Sequence, residues 1–444
     1  MTVTTRFAPS PTGTLHVGNL RTALHNWMFA RAHDGRFLLR IDDTDRARSE
    51  ERHVESIRSD LAWLGLAPDG EERQSARFDR YEARFAELAA AGCIYPAYET
   101  AQELELKRKV LLGRGLPPVY DRAALALTDA EKAKLEAKGV RPHWRFRLDH
   151  EAPIAWDDLV RGPQRFDPKT MSDPVIRRAD GSWLYLFPSV VDDIDMGITH
   201  VVRGEDHVSN TATQLQMFAA LGSEPPAFAH EALLTGTEGK LSKRLGSLGV
   251  DHFRDTGIEP QALVALLARI GTSDPVEPFV DPAPLIAGFD FARFGRAPAR
   301  FDEVELAQLN ARIVHQLGFD AVAGRLPDGM TAAAWEAIRP NLSTVAEAAD
   351  WWRVIEGPVD PADVSSEDRA YLAQAAEAAT TIDWSADPWH ALTGALKEAT
   401  GRKGKALFLP LRLALTGREH GPDMAALLPL IGKDRALSRL RSAE

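Results

Sequence analysis

The sequence predicts an α/β protein: a doubly wound parallel sheet, interrupted by an α+β insertion and followed by an all-α region. Three observations predict it. The first 95 residues alternate short apolar runs with amphipathic stretches, as strands and helices do in a parallel sheet. Residues 97–185 break that alternation with a charged helical hairpin and short strands between polar turns. From about residue 258 onward the periodicity is almost wholly helical.

At 444 residues the chain is too long for one domain. An apolar fraction of 44% and a charged fraction of 26% are ordinary for a water-soluble globular protein. No apolar run is long enough to span a bilayer, so no membrane partner is expected. The N-terminus has no basic stretch followed by an apolar one, so no signal peptide is expected either. The single cysteine, Cys93, excludes an internal disulfide and a cysteine-rich zinc site. A cytoplasmic protein is the expectation. The net charge of −11 argues against a chain coated with nucleic acid but leaves room for local basic surfaces.

Residues 2–7 read as a buried strand. Residues 8–18 hold two prolines, two glycines and three hydroxyl residues, which is turn chemistry. Leu20, Ala23, Leu24, Trp27 and Met28 then fall on one face of a helix. Strand, small-residue loop and helix together point free backbone N–H groups at a phosphate. His16 and Asn19 sit where the helix begins, and an imidazole there can donate to a phosphate oxygen without a full charge. Taken alone, His16-Val17-Gly18-Asn19 is more often a structural turn.

Residues 36–41 form a second strand that runs into Asp42-Asp43-Thr44-Asp45. Carboxylates at the C-terminal end of a strand lie where α/β sheets place ligand contacts, or they cap the next helix. That helix covers residues 49–64, with Val54, Ile57, Leu61 and Leu64 inward. Another covers 79–91, with a capping box from Asp79 and Glu82. The insertion reads as helices in 101–138 and strands near 144–148, 154–156 and 175–178, with a turn at 179–182 leading to residues 183–187. The α/β character returns at Val190-Val191-Asp192-Asp193. A strand at 198–203 delivers Gly204-Glu205-Asp206-His207, a helix covers 209–221, and a further strand covers 228–234. Then comes Lys240-Leu241-Ser242-Lys243-Arg244. Two lysines three apart on a glycine-flanked loop suit a clamp on polyphosphate, although alone they are commonly a solvated basic loop. Helices are expected at 261–270, 302–317, 331–356, 367–378 and 386–400, with a proline-rich connector at 274–288. The basic residues at 402, 403, 405, 412 and 418 suit a phosphate backbone or open solvent equally well.

The two half-motifs belong together. His16-Val17-Gly18-Asn19 and Lys240-Leu241-Ser242-Lys243-Arg244 resemble the paired HIGH and KMSKS signatures of class I aminoacyl-tRNA synthetases, in order, separation and flanking elements. Arg6-Phe7-Ala8-Pro9-Ser10-Pro11-Thr12-Gly13, Leu39-Arg40-Ile41-Asp42-Asp43-Thr44-Asp45, Arg203-Gly204-Glu205-Asp206-His207 and Leu409-Pro410-Leu411-Arg412 narrow the resemblance to the bacterial glutamyl-tRNA synthetases. It covers nearly the whole chain and is loosest between residues 270 and 400.

This resemblance implies a Rossmann-like catalytic sheet and an all-α C-terminal anticodon-binding region. It divides the chain into two catalytic halves at 1–96 and 186–235, with a tRNA acceptor-binding insertion at 97–185 between them. A stem-contact region with the lysine loop follows at 236–310, then a helical region at 311–444. The implied reaction activates L-glutamate with ATP and transfers it to tRNA-Glu; charging of tRNA-Gln for later amidation is the alternative. His16, Lys240 and Lys243 are implied as catalytic. Pro11, Gly13, Gly18, Asn19 and Ser242 would join them around ATP. Arg6, Ser10, Asp42, Tyr185, Arg203 and His207 are implied around glutamate. For the two arginines the alternative is an internal ion pair with Asp42, Asp43 or Glu205. Arg339, Asn341 and Arg412 are implied on the tRNA. Mg²⁺ is expected with ATP, and a monomer is expected. Four departures from the family pattern matter. Asp42 stands where glutamate is usual, Ser189 where asparagine is common, and Pro96 and Tyr98 near expected zinc-binding cysteines, so no zinc is expected. Asn341 stands near an arginine of members strict for tRNA-Glu.

Overall fold

The computed structural model describes residues 2–236, 249–360 and 365–442, and Gly239–Lys240 by backbone alone. The chain divides into two units, Met1–Phe253 with Val264–Asp302 and Arg254–Leu263 with Glu303–Glu444.

In the first unit, the strands Thr4–Phe7, Arg36–Ile41 and Gly70–Arg73 form a parallel sheet with Arg36–Ile41 in the middle. A second sheet runs Gly162–Phe166, Ile154–Asp158, Ala227–Glu231, His200–Gly204. The two halves meet at a threonine pair. Thr199 N–H donates to the Thr4 carbonyl at 2.9 Å, and Thr4 N–H donates to Thr199 Oγ1 at 2.8 Å. From that seam one half winds outward through residues 36–41 and the other through residues 227–231. This is a topological switch point, where an α/β sheet opens a crevice at its strand ends.

Gly70–Arg73 is a strand that the alternation of apolar residues does not reveal. It is an edge strand of sequence Gly-Glu-Glu-Arg, paired to Leu38–Ile41, and Glu71 and Arg73 form ion pairs with Arg58 and Glu51. Its pairing partner, rather than its own pattern, makes it a strand. Val190-Val191-Asp192-Asp193 lies in a helix, Leu186–Asp195, and residues 186–187 belong to that helix rather than to a strand. Both sides of this helix are buried, and periodicity cannot separate a short buried helix from a buried strand. The capping box expected from Asp79 and Glu82 is absent: the helix Phe78–Ala90 starts after Arg77, and Glu82 pairs with Arg177.

The insertion shares its core with the sheet. Phe146, Leu148, Ile176 and Trp183 pack in one cluster with Val201, Met217, Phe218 and Phe228, whereas a separate small cluster joins Tyr95, Ala97 and Ala124, with Tyr120 and Leu127 against it. The strand expected at 154–156 belongs to the catalytic sheet instead of the insertion's own sheet. Ile94–Ala97 pairs antiparallel with His143–Phe146 in the insertion's sheet. Ile154–Asp158 and its hairpin partner extend the catalytic sheet, through Phe228 opposite Asp158. Cys93 is half-buried and packs against the shared cluster.

The second unit is helical. Pro340 ends the helix Ala332–Ile338, so the expected helix at 331–356 is two helices, with the turn Arg339–Asn341 before Ala348–Glu356. No helix among the described residues is long and apolar enough to cross a membrane.

Candidate active site

A cleft of about 620 Å³ opens at the switch point, at the C-terminal ends of Thr4–Phe7 and His200–Gly204. Arg6, Ser10, Gly13, His16, Gly18, Asn19, Asp42, Tyr185, Arg203 and His207 all line it, so the sequence-derived candidates from both halves converge. A second recess of about 230 Å³ shares Ser10, Asp42 and Tyr185 and continues along Thr44, Arg48, Arg178 and Trp183.

His16 is the N-cap of the helix Val17–Ala32. Its Nδ1 accepts from Gly18 N–H at 3.2 Å and Asn19 N–H at 3.3 Å, while Asn19 Oδ1 accepts from His16 N–H at 3.3 Å. Two donors aimed at Nδ1 put the ring proton on Nε2. Burial lowers the pKa of the imidazole, favouring its neutral form. His16 therefore offers the cleft a neutral N–H donor. The expectation of free helix amides needs correcting here: Gly18 and Asn19 N–H are already bonded to the ring. A Cβ at Gly18 would lie 3.1 Å from the ring's Cε1 and Nδ1, so a larger residue there would press on the His16 side chain. Over Gly13, by contrast, an added Cβ would meet nothing within 4 Å.

Pro11 does not face the cleft. Its carbonyl accepts Glu50 N–H at 3.2 Å, and it lies in a separate depression with Asp43, Arg46 and Glu50. It fastens the loop to the helix Glu51–Trp63.

Two arginines line the cleft in different electrical states. Arg6 Nε donates to Asp193 Oδ1 at 3.1 Å, and the same oxygen accepts Arg40 Nη1–H at 2.7 Å. Arg40 is fully buried and grips Asp42 through Nε at 2.7 Å and Nη2 at 3.2 Å; its Nη2 also donates to Ser189 Oγ. Burial pushes Asp193 up, but Arg6 and Arg40 overcome it, so its carboxyl sits below the usual range. Asp42 has the opposite balance. Burial outweighs Arg40, and its pKa is pushed up to about 6.

Among the described residues, Arg203 has no carboxylate in contact. Its Nε donates to His230 Nε2 at 3.2 Å, Nη2 to Thr211 Oγ1 at 2.7 Å and Gln214 Oε1 at 2.8 Å, and Nη1 to Tyr185 OH at 3.1 Å. Only 6% of the residue is exposed. Four of the five N–H donors are thus satisfied by neutral groups, and one on Nη1 remains. Burial of this unneutralised charge lowers its pKa. Because Tyr185 OH accepts from Arg203, its own proton is free to donate. His207 stands beside Tyr185, ring centroids 5.5 Å apart, held neutral by burial and by Arg203.

Arg40, Asp193 and Arg21 are site residues that the sequence reading did not single out. Arg21 lines the cleft floor, donates to the Ala232 carbonyl at 3.0 Å and lies 3.5 Å from Glu231. The available signal was charge inside apolar runs: Leu38-Leu39-Arg40-Ile41 and Val190-Val191-Asp192-Asp193 demand buried partners.

Lys240 pairs by backbone with Thr235, while Ser242 and Lys243 lie outside the described residues. In the helical unit Arg339 bonds to the Leu317 carbonyl and Glu336, and Arg412 donates to the Pro422 carbonyl at 2.9 Å; Asn341 is exposed. Of the other basic candidates there, Arg402 pairs with Glu367 and Asp368 and Arg418 lies over Trp351, while Lys403 and Lys405 are exposed. Among the described residues, no group of three or more His, Cys, Asp or Glu could hold a metal ion.

The chain is similar to known proteins over nearly its whole length. Residues 2–308 match the catalytic domain of the tRNA synthetases class I (E and Q), and residues 309–444 match an anticodon binding domain. A glutamate–tRNA ligase 1 of Rhizorhabdus wittichii is 74% identical over 441 residues, covering 99% of both chains. A glutamate–tRNA ligase 1 of Novosphingobium aromaticivorans is 69% identical, covering 99% of this chain and 100% of that one. The crystal structure of a glutamate tRNA ligase from Elizabethkingia meningosepticum, in complex with its amino acid, superposes with a TM-score of 0.88 at 28% identity, covering 100% of this chain and 99% of that one. The chain belongs to the class I tRNA synthetases (E and Q).

Proposed function

We propose that the chain is a glutamate–tRNA ligase that joins L-glutamate to tRNA-Glu at the expense of ATP. One observation carries the choice of amino acid: among the described residues, Arg203 is a buried cation with no carboxylate partner and one uncommitted N–H, beside a tyrosine whose O–H is also uncommitted. A guanidinium N–H and a neighbouring tyrosine O–H fit the oxygens of a carboxylate. A side-chain amide would leave the buried guanidinium charge uncompensated.

The substrates then have assigned places. The side-chain carboxylate of glutamate meets Arg203 and Tyr185, with Arg6, Ser10 and His207 around it. Asp42 faces the amino group. Its carboxylate is held back by Arg40, so a water bridge suits the shorter side chain. His16 Nε2–H donates to a phosphate of ATP, and Gly13, Gly18 and Asn19 leave room for the nucleotide. Lys240, Ser242 and Lys243 are assigned to the phosphates on the sequence motif, and Mg²⁺ would arrive on those phosphates. An oxygen of the α-carboxylate attacks the α-phosphorus, the bond to the β-phosphate breaks, and pyrophosphate leaves. A ribose hydroxyl of the terminal adenosine then attacks the acyl carbon, forming the ester and releasing AMP. No protein nucleophile is required; catalysis is positioning and charge stabilisation. The second recess, flanked by Arg48 and Arg178, gives the tRNA end a path to Ser10 and Tyr185. Arg339, Asn341 and Arg412 belong to the helical unit assigned to the anticodon, with Asn341 the most available of the three. A cytoplasmic monomer fits this reading.

The test is charging of purified tRNA-Glu and tRNA-Gln with labelled glutamate. Charging of tRNA-Glu is expected, and charging of neither would refute the reading. Asp42 adds a pH prediction. Because its folded pKa lies near 6, the carboxylate is lost as pH falls through that value. In wild type, kcat/KM for glutamate should fall on the acid side of about pH 6 and be level above it, while Asp42→Asn should be low throughout and flat. An identical acid limb in both proteins would remove Asp42 from that role.

A further inference from the structure

Behind Arg203 stands a pair of residues that the proposed function does not use. Asp158 ends the strand Ile154–Asp158, which the hairpin 154–166 brings to the catalytic sheet. His230 lies on the neighbouring strand Ala227–Glu231, fully buried. Asp158 Oδ2 lies 2.5 Å from His230 Nδ1. Its other oxygen, Oδ1, accepts the backbone N–H groups of His230, Val160 and Arg161 at 3.1, 3.1 and 2.9 Å. On the far side of the ring, Nε2 faces Arg203 Nε at 3.2 Å and Thr211 Oγ1 at 2.9 Å.

The contact with Arg203 fixes the tautomer of His230. Arg203 can only donate, so His230 Nε2 must present its lone pair. The ring proton is then on Nδ1, where the Asp158 carboxylate receives it. Thr211 Oγ1 accepts from Arg203 Nη2, and its one hydroxyl proton is shared between His230 Nε2 at 2.9 Å and the His207 carbonyl at 3.4 Å. Burial, with the Arg203 charge behind it, holds the imidazole neutral. Burial alone would raise Asp158, but His230 and the backbone amides keep its carboxyl below the usual range.

We propose that Asp158 and His230 are positioning residues for glutamate recognition: they fix the imidazole tautomer that orients Arg203, and they place a carboxylate one ring away from it instead of on it. The contrast with Arg6 shows what this achieves. Arg6 is neutralised by direct contact with Asp193. Arg203 feels Asp193 only at a distance and, among the described residues, touches no carboxylate; its Nε is met by an imidazole instead, so its remaining N–H stays available to substrate. The proposal rests on the glutamate-ligase reading and names what holds its key cation in place.

The experiment is Asp158→Asn in the full chain, assayed by charging of tRNA-Glu. The introduced amide can keep its oxygen on the three backbone N–H groups, which puts its NH₂ against His230 Nδ1. The imidazole must then carry its proton on Nε2, against Arg203 Nε–H. The expected result is a rise in the KM for glutamate of about 10–100-fold, with the KM for ATP within about threefold of wild type. ¹⁵N spectra of histidine-labelled protein should show the His230 proton moving from Nδ1 to Nε2, a readout that does not depend on activity. An unchanged glutamate KM alongside a moved proton would overturn the proposal, and so would an equal rise in both KM values. If Asp158→Asn does not fold, His230→Gln and His230→Leu replace it. Gln keeps an acceptor at the Nε2 position and should stay within about fivefold of wild type, while Leu should not; equal effects would overturn the proposal. Failure of the wild-type chain to charge tRNA would refute the ligase reading, leaving the tautomer measurement to stand alone.

Discussion

Replacing Arg203 by alanine is expected to raise the KM for glutamate by roughly 100-fold to 1000-fold while leaving the KM for ATP nearly unchanged. The magnitude follows from the state of the guanidinium. Removing one partner of a buried charge pair costs about 3–5 kcal/mol, and about 1.4 kcal/mol corresponds to each factor of ten. Arg203 qualifies as such a partner once a carboxylate is bound, because its existing contacts are all neutral and only 6% of it is exposed. Arg203→Lys should recover little. An ammonium has three donors on one atom and cannot serve His230, Thr211, Gln214 and Tyr185 together and still reach a substrate. Initial rates at varied glutamate and varied ATP separate the outcomes: parallel loss of both affinities would mean that Arg203 is structural.

The second large effect belongs to His16, which has two separable duties. Its Nδ1 caps the helix Val17–Ala32, and its Nε2–H faces the cleft. Asparagine is among the best N-cap residues, so His16→Asn should preserve the cap and remove the cleft donor. His16→Ala removes both. Both variants should lose about 10²–10³-fold in the rate of adenylate formation, the usual effect of deleting one donor that meets charge developing in the transition state. Only the alanine variant should also lose about 1 kcal/mol of stability. Denaturation midpoints and single-turnover rates measured on the same preparations decide it. A full rate with His16→Asn would reduce His16 to a helix cap.

The legible part of this molecule was the part written in local chemistry. The loop from Arg6 to Asn19, the strand running into Asp42 and the strand delivering Arg203 each carry their own turn residues and periodicity, and all three end at one cleft. The illegible part was written in partners. Arg6 pairs with Asp193, which none of the expected alternatives named, and Asp193 lies in a helix whose buried valines imitate a strand. Gly70–Arg73 becomes a strand only because Arg36–Ile41 lies beside it. Asp158 reaches the site because a hairpin far along the chain extends the sheet. Capping suffered likewise: Glu82, placed three residues after Asp79, is engaged by Arg177 from the insertion. Such long-range pairings leave little trace in spacing. Their one local sign is a charged residue inside an apolar run, as at Arg40 and at Asp192-Asp193.

The most direct measurement is the ratio of kcat/KM for glutamate to that for glutamine, with wild-type chain and one tRNA-Glu preparation. A site whose guanidinium is buried without a carboxylate among the described residues should favour the carboxylate by at least about 10³, since a neutral amide leaves that buried charge uncompensated. Arg203→Ala should collapse that ratio toward one. A ratio already near one in the wild-type chain would contradict the assignment of Arg203 and Tyr185 as the groups that choose glutamate.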